Sequence, residues 1–154
     1  MKAEVRKGPF DETAADLFVL AVPQARGPLA GGWGLLDWRL EGRLSALQKR
    51  GDCTGKAGER VLVLNVPKAG APAAWIEGMG PAETAAAGVS GALLGCLRAA
   101  ARAGARRVAL AADPWVGPGR AFESLEALRK FLESSDSNGL PDRVMLSFFD
   151  EILI

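Results

Sequence analysis

Histidine is absent from this 154-residue chain. That removes Ser-His-Asp catalysis, Cys-His catalysis and every imidazole metal ligand from the chain's own repertoire. Carboxylates and lysine remain as acid–base groups. Cysteine is scarce: Cys53 and Cys96 stand far apart, with no CxxC spacing. They read as free thiols of a reducing compartment, not as a disulfide or a catalytic pair. Excess charge is missing as well. The net charge is +1, so no domain-wide field favours nucleic acid or an anionic membrane. No apolar run reaches the roughly 18 residues of a membrane span. The longest candidate, Ala85 to Ala101, is interrupted by Gly88, Gly91, Gly95 and Arg98. The opening MKAEVRKGPFDE has no apolar signal-peptide region. Together these absences predict a cytoplasmic chain with neither nucleic acid nor membrane as a partner.

What is present supports a packed core. Apolar residues make up 49% and charged residues 24%, a balance that excludes wholesale disorder. The length suits one domain over residues 1–154. At this size on the order of 70% of the unfolded surface is buried on folding, so no disulfide or metal staple is required.

Apolar runs and helical spacings alternate along the chain. Met1 to Arg6 alternates weakly, as an edge strand does. DLFVLAV (Asp16 to Val22), bounded by Pro23, reads as a buried strand. A glycine-rich loop, Gln24 to Gly34, follows. Leu35, Leu36, Leu40, Leu44 and Leu47 then recur at helical spacing and predict one amphipathic helix of about 15 residues. Gly51 to Glu59 reads as a loop. Arg60 to Val66 and Ala74 to Gly80 read as a second and a third buried strand. Pro81 opens a long helix from Ala82 to Ala103, a favoured place for proline, with Gly104 as its C-cap. Arg106 to Ala112 is a fourth buried strand. A helix from Arg120 to Ser134 carries Phe122, Leu125, Leu128, Phe131 and Leu132 on one face, and Arg143 to Phe149 is a final strand. The alternation predicts an α/β fold: a three-layer α/β/α sandwich with a mixed, mostly parallel central sheet. Ligands of such sheets gather at the carboxyl ends of the strands, which directs attention to the loops Gln24–Gly34, Gly78–Pro81 and Asp113–Gly119.

Two of these loops combine glycines with tryptophan before a helix. In Asp113–Gly119, Gly117 and Gly119 let a backbone approach a ligand, free N–H groups at the helix start suit an anion, and Trp115 offers a ring to stack on a base. The alternative is a rigid turn set by Pro114 and Pro118, with Trp115 packed at the core edge. Gly31, Gly32 and Gly34 around Trp33 admit the same two readings. Asp37, beyond them, reads as a first-turn acid complementing the helix dipole. GDCTGKAG looks like a phosphate loop but fails: three residues separate Gly51 from Gly55 where four are needed, and Ala57 replaces the metal-binding hydroxyl. It reads as a surface loop with Lys56 in solvent. Gly88, Gly91 and Gly95 share roughly one helix face, each costing about 1 kcal/mol against alanine. Either close packing on the sheet or close contact with a partner chain offsets that cost. Arg98, Arg102, Arg106 and Arg107 read as a solvated helix end favoured by the dipole.

These segments resemble a known pattern. DLFVLAV, a glycine loop, LLDWRLEGRLSALQKRGDCTGKAGE, RVLVLN and WIEGMG are similar to the N-terminal domain of the leucyl aminopeptidase family. Asp37, Leu40, Gly42, Leu44, Ser45, Gly51, Asp52, Gly55, Lys56, Gly58 and Glu59 match it, with Cys53 where phenylalanine is usual. The resemblance covers roughly residues 1 to 112 and implies the macro-domain fold. The remainder resembles macro domains too: VALAADPWVGPGRAFE is similar to their diphosphate-holding strand, loop and helix, and RVMLSFFDE to their last strand. On this resemblance Asp11 falls near the adenine-contacting aspartate. Asp11, Gly31, Gly32, Gly34, Trp115, Gly117 and Gly119 are then the candidate ligand-binding residues for ADP-ribose or a related nucleotide. The family's "NAAN" segment is replaced by VPQAR, and GGWGLLD is longer than the usual "GGGVD".

The family's two-metal peptidase site belongs to a C-terminal catalytic domain around "NTDAEGR", and nothing in this sequence resembles that motif. The resemblance therefore implies no catalytic residue, no metal and no cofactor here. The expected role is a non-catalytic domain acting in a homo-oligomer or beside a separate protein partner, with nucleotide binding as the alternative.

Overall fold

The computed structural model describes residues 1–6, 10–24, 28–29, 31–66, 69–81, 89–113, 115–116 and 122–147. Its centre is strand β2, Leu17–Gln24. Leu17, Val19 and Ala21 enter one core cluster, and Phe18, Leu20 and Val22 enter another on the opposite face. A strand apolar at every position suits a parallel sheet covered on both sides. With β1 (Lys2–Val5), β3 (Arg60–Leu64), β4 (Ala73–Pro81), β5 (Arg107–Ala111) and β6 (Arg143–Ser147) it forms one sheet in the order β1-β6-β5-β2-β4-β3. Every pairing is parallel except β3 with β4. β2 continues past its expected end through Pro23. The register shifts between Val22 and Gln24, which accommodates a residue without an N–H.

Four helices are described: α1 (Gly31–Arg39), α2 (Arg43–Arg50), α3 (Val89–Arg102) and α4 (Leu125–Ser134). Leu93, Cys96, Leu97 and Ala100 of α3, with Leu128 and Leu132 of α4, cover the sheet face formed by Val19, Val108, Leu110, Val144 and Leu146. Leu36, Leu40 and Leu44 from the α1–α2 region cover the other face, over Phe18, Leu20, Ile76, Ala109 and Met145. The three-layer mixed α/β arrangement predicted from the alternation is therefore present.

Several expected elements differ in detail. The single helix through Leu35 to Leu47 is two. Glu41 and Gly42 adopt left-handed φ angles of 55° and 83°, ending α1 and starting α2. Leu36, Leu40 and Leu44 remain buried together across the break, so the spacing holds although the helix does not. β3 is an antiparallel edge strand, not a buried one, because β4 is its sole partner among the described residues. The last helix begins at Leu125, where the Ser124 side chain accepts from the Ala127 N–H, a capping role typical of serine. Phe122 lies outside it, bridged to Val116 and packed 5.1 Å from Phe131. The C-cap Gly104 is as expected: its φ is 96° and its N–H donates to the Ala101 carbonyl. The expected start of the long helix at Ala82, Gly88 within it, and the strand end at Phe148 and Phe149 lie outside the described residues.

Candidate functional site

The parallel strands β2, β4, β5 and β6 end on one side of the sheet, and α1 starts there. Gly31, with φ of 58°, sits so that a Cβ would lie 4.0 Å from Asp113 Cγ, joining the start of α1 to the end of β5. Gly32 is buried beside it. Gly34 answers a different demand: a Cβ would stand 2.7 Å from the Leu29 carbonyl oxygen, so its own chain requires the glycine. Trp33 is buried, and its indole Nε1 has no hydrogen-bond partner among the described residues.

The other sequence candidates separate. Asp11 is 0% exposed. Its Oδ2 accepts from Arg39 Nε at 2.6 Å, and Glu12 adds a second carboxylate 3.5 Å from Arg39 Nη2. Asp11 Oδ1 has no hydrogen-bond partner among the described residues. Trp115 is wholly buried in the cluster beneath α3 and α4; its backbone N–H donates to the Ala112 carbonyl, and its indole Nε1 has no hydrogen-bond partner among the described residues. Core packing, the alternative weighed for it, describes its place, with no ring face exposed. Gly117 and Gly119 lie outside the described residues. Sequence reasoning passed over Ser147: it ends β6 opposite Ala111, is buried, and its Oγ has no hydrogen-bond partner among the described residues. Its signal was a single polar residue within the otherwise apolar run VMLSFF.

The sequence stretch that carries the aminopeptidase resemblance does structural work. The Glu59 carboxylate accepts from the Gly55 N–H at 3.1 Å and the Thr54 hydroxyl at 2.9 Å, and from the Thr54 N–H. Gly55 and Gly78 admit close backbone approach: a Cβ at the first would lie 2.4 Å from the Pro23 oxygen, and at the second 2.0 Å from the Lys56 oxygen. The loop is thereby latched onto the ends of β2 and β4, with Lys56 in solvent. Asp37 is not a first-turn residue of its own helix. Its carboxylate accepts from the Ser45 N–H at 3.0 Å and the Ser45 hydroxyl, so it caps the following helix across the break.

Neither cysteine has a nucleophile's surroundings. Burial first, and Glu59 second, push the Cys53 thiol up to about 11. Burial, then Glu77, push Cys96 up to about 12. A thiolate is the reactive form, and both surroundings disfavour it. No cluster of three or more metal-ligating side chains occurs among the described residues. No described helix is long and apolar enough to cross a membrane.

A second region lies on the α3 side of the sheet at its β3 edge. Leu62 and Leu64 are 53% and 56% exposed. With Trp75, Ala73, Leu17 and the α3 terminus at Ala103 they line a groove of about 280 Å³. Trp75 is fixed there: its Nε1 donates to Glu77 Oε2 at 3.0 Å, and the Arg60 guanidinium, bonded to both Glu77 oxygens, lies 5.9 Å from its ring centre. Local sequence carries no warning of this region, because β3 is apolar on both faces and reads as fully covered. A Cβ at Gly91 or Gly95 of α3 would meet nothing within 4 Å among the described residues. Close packing on this sheet is therefore not why these two glycines stand in a helix.

No family model matches the chain, and no curated protein is similar to it in sequence. Solved structures do match. A tomato leucine aminopeptidase variant is similar over 97% of this chain, with a TM-score of 0.63 and 19% identity. This chain spans 32% of that protein's length, and the match falls in its N-terminal region. The macrodomain of Mycobacterium tuberculosis DarG is similar over 97% of this chain and 98% of its own, with a TM-score of 0.66 and 17% identity. The Thermus aquaticus DarG macrodomain covers 96% of this chain, with a TM-score of 0.59 and 13% identity. The fold is the one shared by macrodomains and the aminopeptidase N-terminal region.

Proposed function

We propose that residues 1–154 form a single cytoplasmic macro-fold domain without catalysis of its own, acting through protein contacts in oligomerisation or in regulation of a partner. The observation that carries this reading is the uncovered strip formed by Leu62 and Leu64 beside Trp75. Singly scattered surface leucines need no explanation, whereas grouped ones mark interaction sites. The open Gly91 and Gly95 on α3 support the same reading, since a partner's approach would offset their helix cost. Light scattering over a range of concentrations, with a crosslinked pull-down, tests it. An oligomer or a stoichiometric complex is expected. A strict monomer that captures nothing overturns it.

A second reading, binding of ADP-ribose or a related nucleotide or hydrolysis of ADP-ribosyl adducts, has its own support. The likeness extends over 98% of a macrodomain. Ser147 Oγ at the end of β6 and Trp33 Nε1 in the first turn of α1 are buried polar atoms without partners among the described residues, and such atoms call for a ligand or water. Against it, Asp11 is already engaged by Arg39 and Trp115 lies inside the core. Calorimetry with ADP-ribose decides: saturable heat favours this reading, and no heat at millimolar ligand removes it. A fold shared with an enzyme does not carry its function, so the purified chain with manganese or zinc is expected to leave aminoacyl substrates intact.

A further inference from the structure

We propose that Asn138 is a site of spontaneous covalent modification: the Gly139 nitrogen displaces its side-chain amide, leaving isoaspartate and a new negative charge in the turn before β6. The chain has two asparagines, Asn65 and Asn138, and both are exposed. What separates them is the peptide group that follows each. Val66 is buried, carries a branched Cβ beside its nitrogen, and donates its N–H to the Pro72 carbonyl at 3.2 Å. That nitrogen is both crowded and engaged. Gly139 is exposed and has no side chain, and its N–H has no hydrogen-bond partner among the described residues. Of the two, only the Gly139 nitrogen is open to reaction with the side chain that precedes it.

Native contacts hold the turn around the reacting atoms without covering them. The Leu140 N–H donates to the Ser137 carbonyl at 3.1 Å, closing a turn with Asn138 and Gly139 at its centre. The Asn138 N–H donates to Asp136 Oδ1 at 3.1 Å. The 72° φ of Gly139 is the left-handed conformation that glycine takes at the third place of a turn. Arg98 of α3 adds the electrostatics. Its Nε donates to the Asn138 main-chain carbonyl at 3.4 Å. That carbonyl belongs to the same peptide group as the attacking nitrogen. As the nitrogen gives up its proton, negative charge spreads onto the carbonyl oxygen, where the guanidinium stabilises it.

The step balances. The Gly139 nitrogen bonds to Asn138 Cγ, the Cγ–Nδ2 bond breaks, and ammonia leaves with the proton the peptide nitrogen lost. Water then opens the cyclic imide at either carbonyl. One opening gives aspartate; the other gives isoaspartate, with the chain rerouted through Cβ and Cγ. Nothing is oxidised or reduced. The new carboxylate takes one unit from the formal net charge, from +1 to zero. The extra main-chain atom of isoaspartate breaks the Ser137–Leu140 closure and loosens Leu140, a member of the core cluster beneath α3 and α4.

The test incubates the folded full chain at neutral pH and physiological temperature, beside the same chain unfolded in urea. Peptide mass spectrometry follows both asparagines, and methyl labelling by an isoaspartyl methyltransferase counts isoaspartate. In the folded chain Asn138 should convert while Asn65 keeps its amide, and an acidic species should grow on ion exchange. Asn138→Gln, whose longer side chain closes a ring far more slowly, should abolish that species with an unchanged melting curve. Arg98→Met should slow conversion severalfold in the folded chain and leave the rate in urea unchanged, because unfolding removes the contact. Conversion confined to the unfolded chain, or equal conversion of Asn65 and Asn138 in the folded one, overturns the proposal. An unchanged or faster folded-state rate in Arg98→Met overturns the role given to Arg98.

Discussion

Arg39 Nε lies 2.6 Å from Asp11 Oδ2, with the aspartate completely enclosed beneath it. The bond ties the short 3₁₀ turn Phe10–Glu12 to the end of α1. Removing one partner of a buried ion pair strands the other charge, at a cost of about 3–5 kcal/mol. Arg39→Met should therefore lower unfolding free energy by about that amount in a urea titration. Asp11→Asn should cost less, because the amide keeps one acceptor for the guanidinium. Equal, negligible losses in both variants would show that the pair does not hold the turn.

Asp16 links β2 to β5. Its carboxylate accepts from the Arg107 side chain and from the Arg106 and Arg107 N–H groups. The Arg107 hydrogen bonds, first from its side chain and then from its backbone, hold the Asp16 pKa below its ordinary 3.8. A pKa lowered on folding stabilises above the unfolded value and loses that stabilisation as pH falls through the folded one. Asp16→Asn should be less stable than wild type at pH 7. The gap should close as the pH drops below 3.8, as denaturation midpoints at pH 7 and pH 2.5 would show. A gap independent of pH would contradict the linkage.

The two thiols make a kinetic prediction. With Cys53 near 11 and Cys96 near 12, and both buried, a disulfide reagent at pH 8 should find essentially no reactive thiolate in the native protein. Both should react promptly in denaturant. A fast phase of one equivalent under native conditions would place a cysteine in an open site.

Two glycines should respond to alanine in opposite directions. Gly95 lies inside α3 with no atom of the described residues within 4 Å of a new methyl, so Gly95→Ala should stabilise by about 0.5–1 kcal/mol. At Gly78 the methyl would fall 2.0 Å from the Lys56 oxygen. The backbone must shift, and a loss of about 1–3 kcal/mol is expected. Thermal melts of the pair check both signs.

How far the sequence discloses the molecule depends on which neighbour decides each residue's environment. β2 and β5 are apolar on both faces and are central, so composition suffices. β3 is equally apolar and is an edge; the difference lies in topology, which no local pattern contains. The α1–α2 break is hidden because Leu36, Leu40 and Leu44 keep helical spacing through it. In hindsight Gly42 marks it. At the candidate ligand site, glycines before a helix look alike whether they serve a ligand or their own chain. Gly34 is fixed by Leu29, and the Trp115 ring is buried in the core with Leu128 and Leu132.

The first strand has a bearing on how the chain comes to be folded. Among the described residues β1 pairs with β6 alone, Lys2 opposite Arg143 through Val5 opposite Leu146. On a ribosome the β1 residues must wait for this pairing until Arg143 to Leu146 have emerged, more than 130 residues later. Pairings of such sequence separation slow folding. Shortening the nascent chain before Arg143 would leave β5 with an open flank and take from β1 the strand that holds it in the sheet.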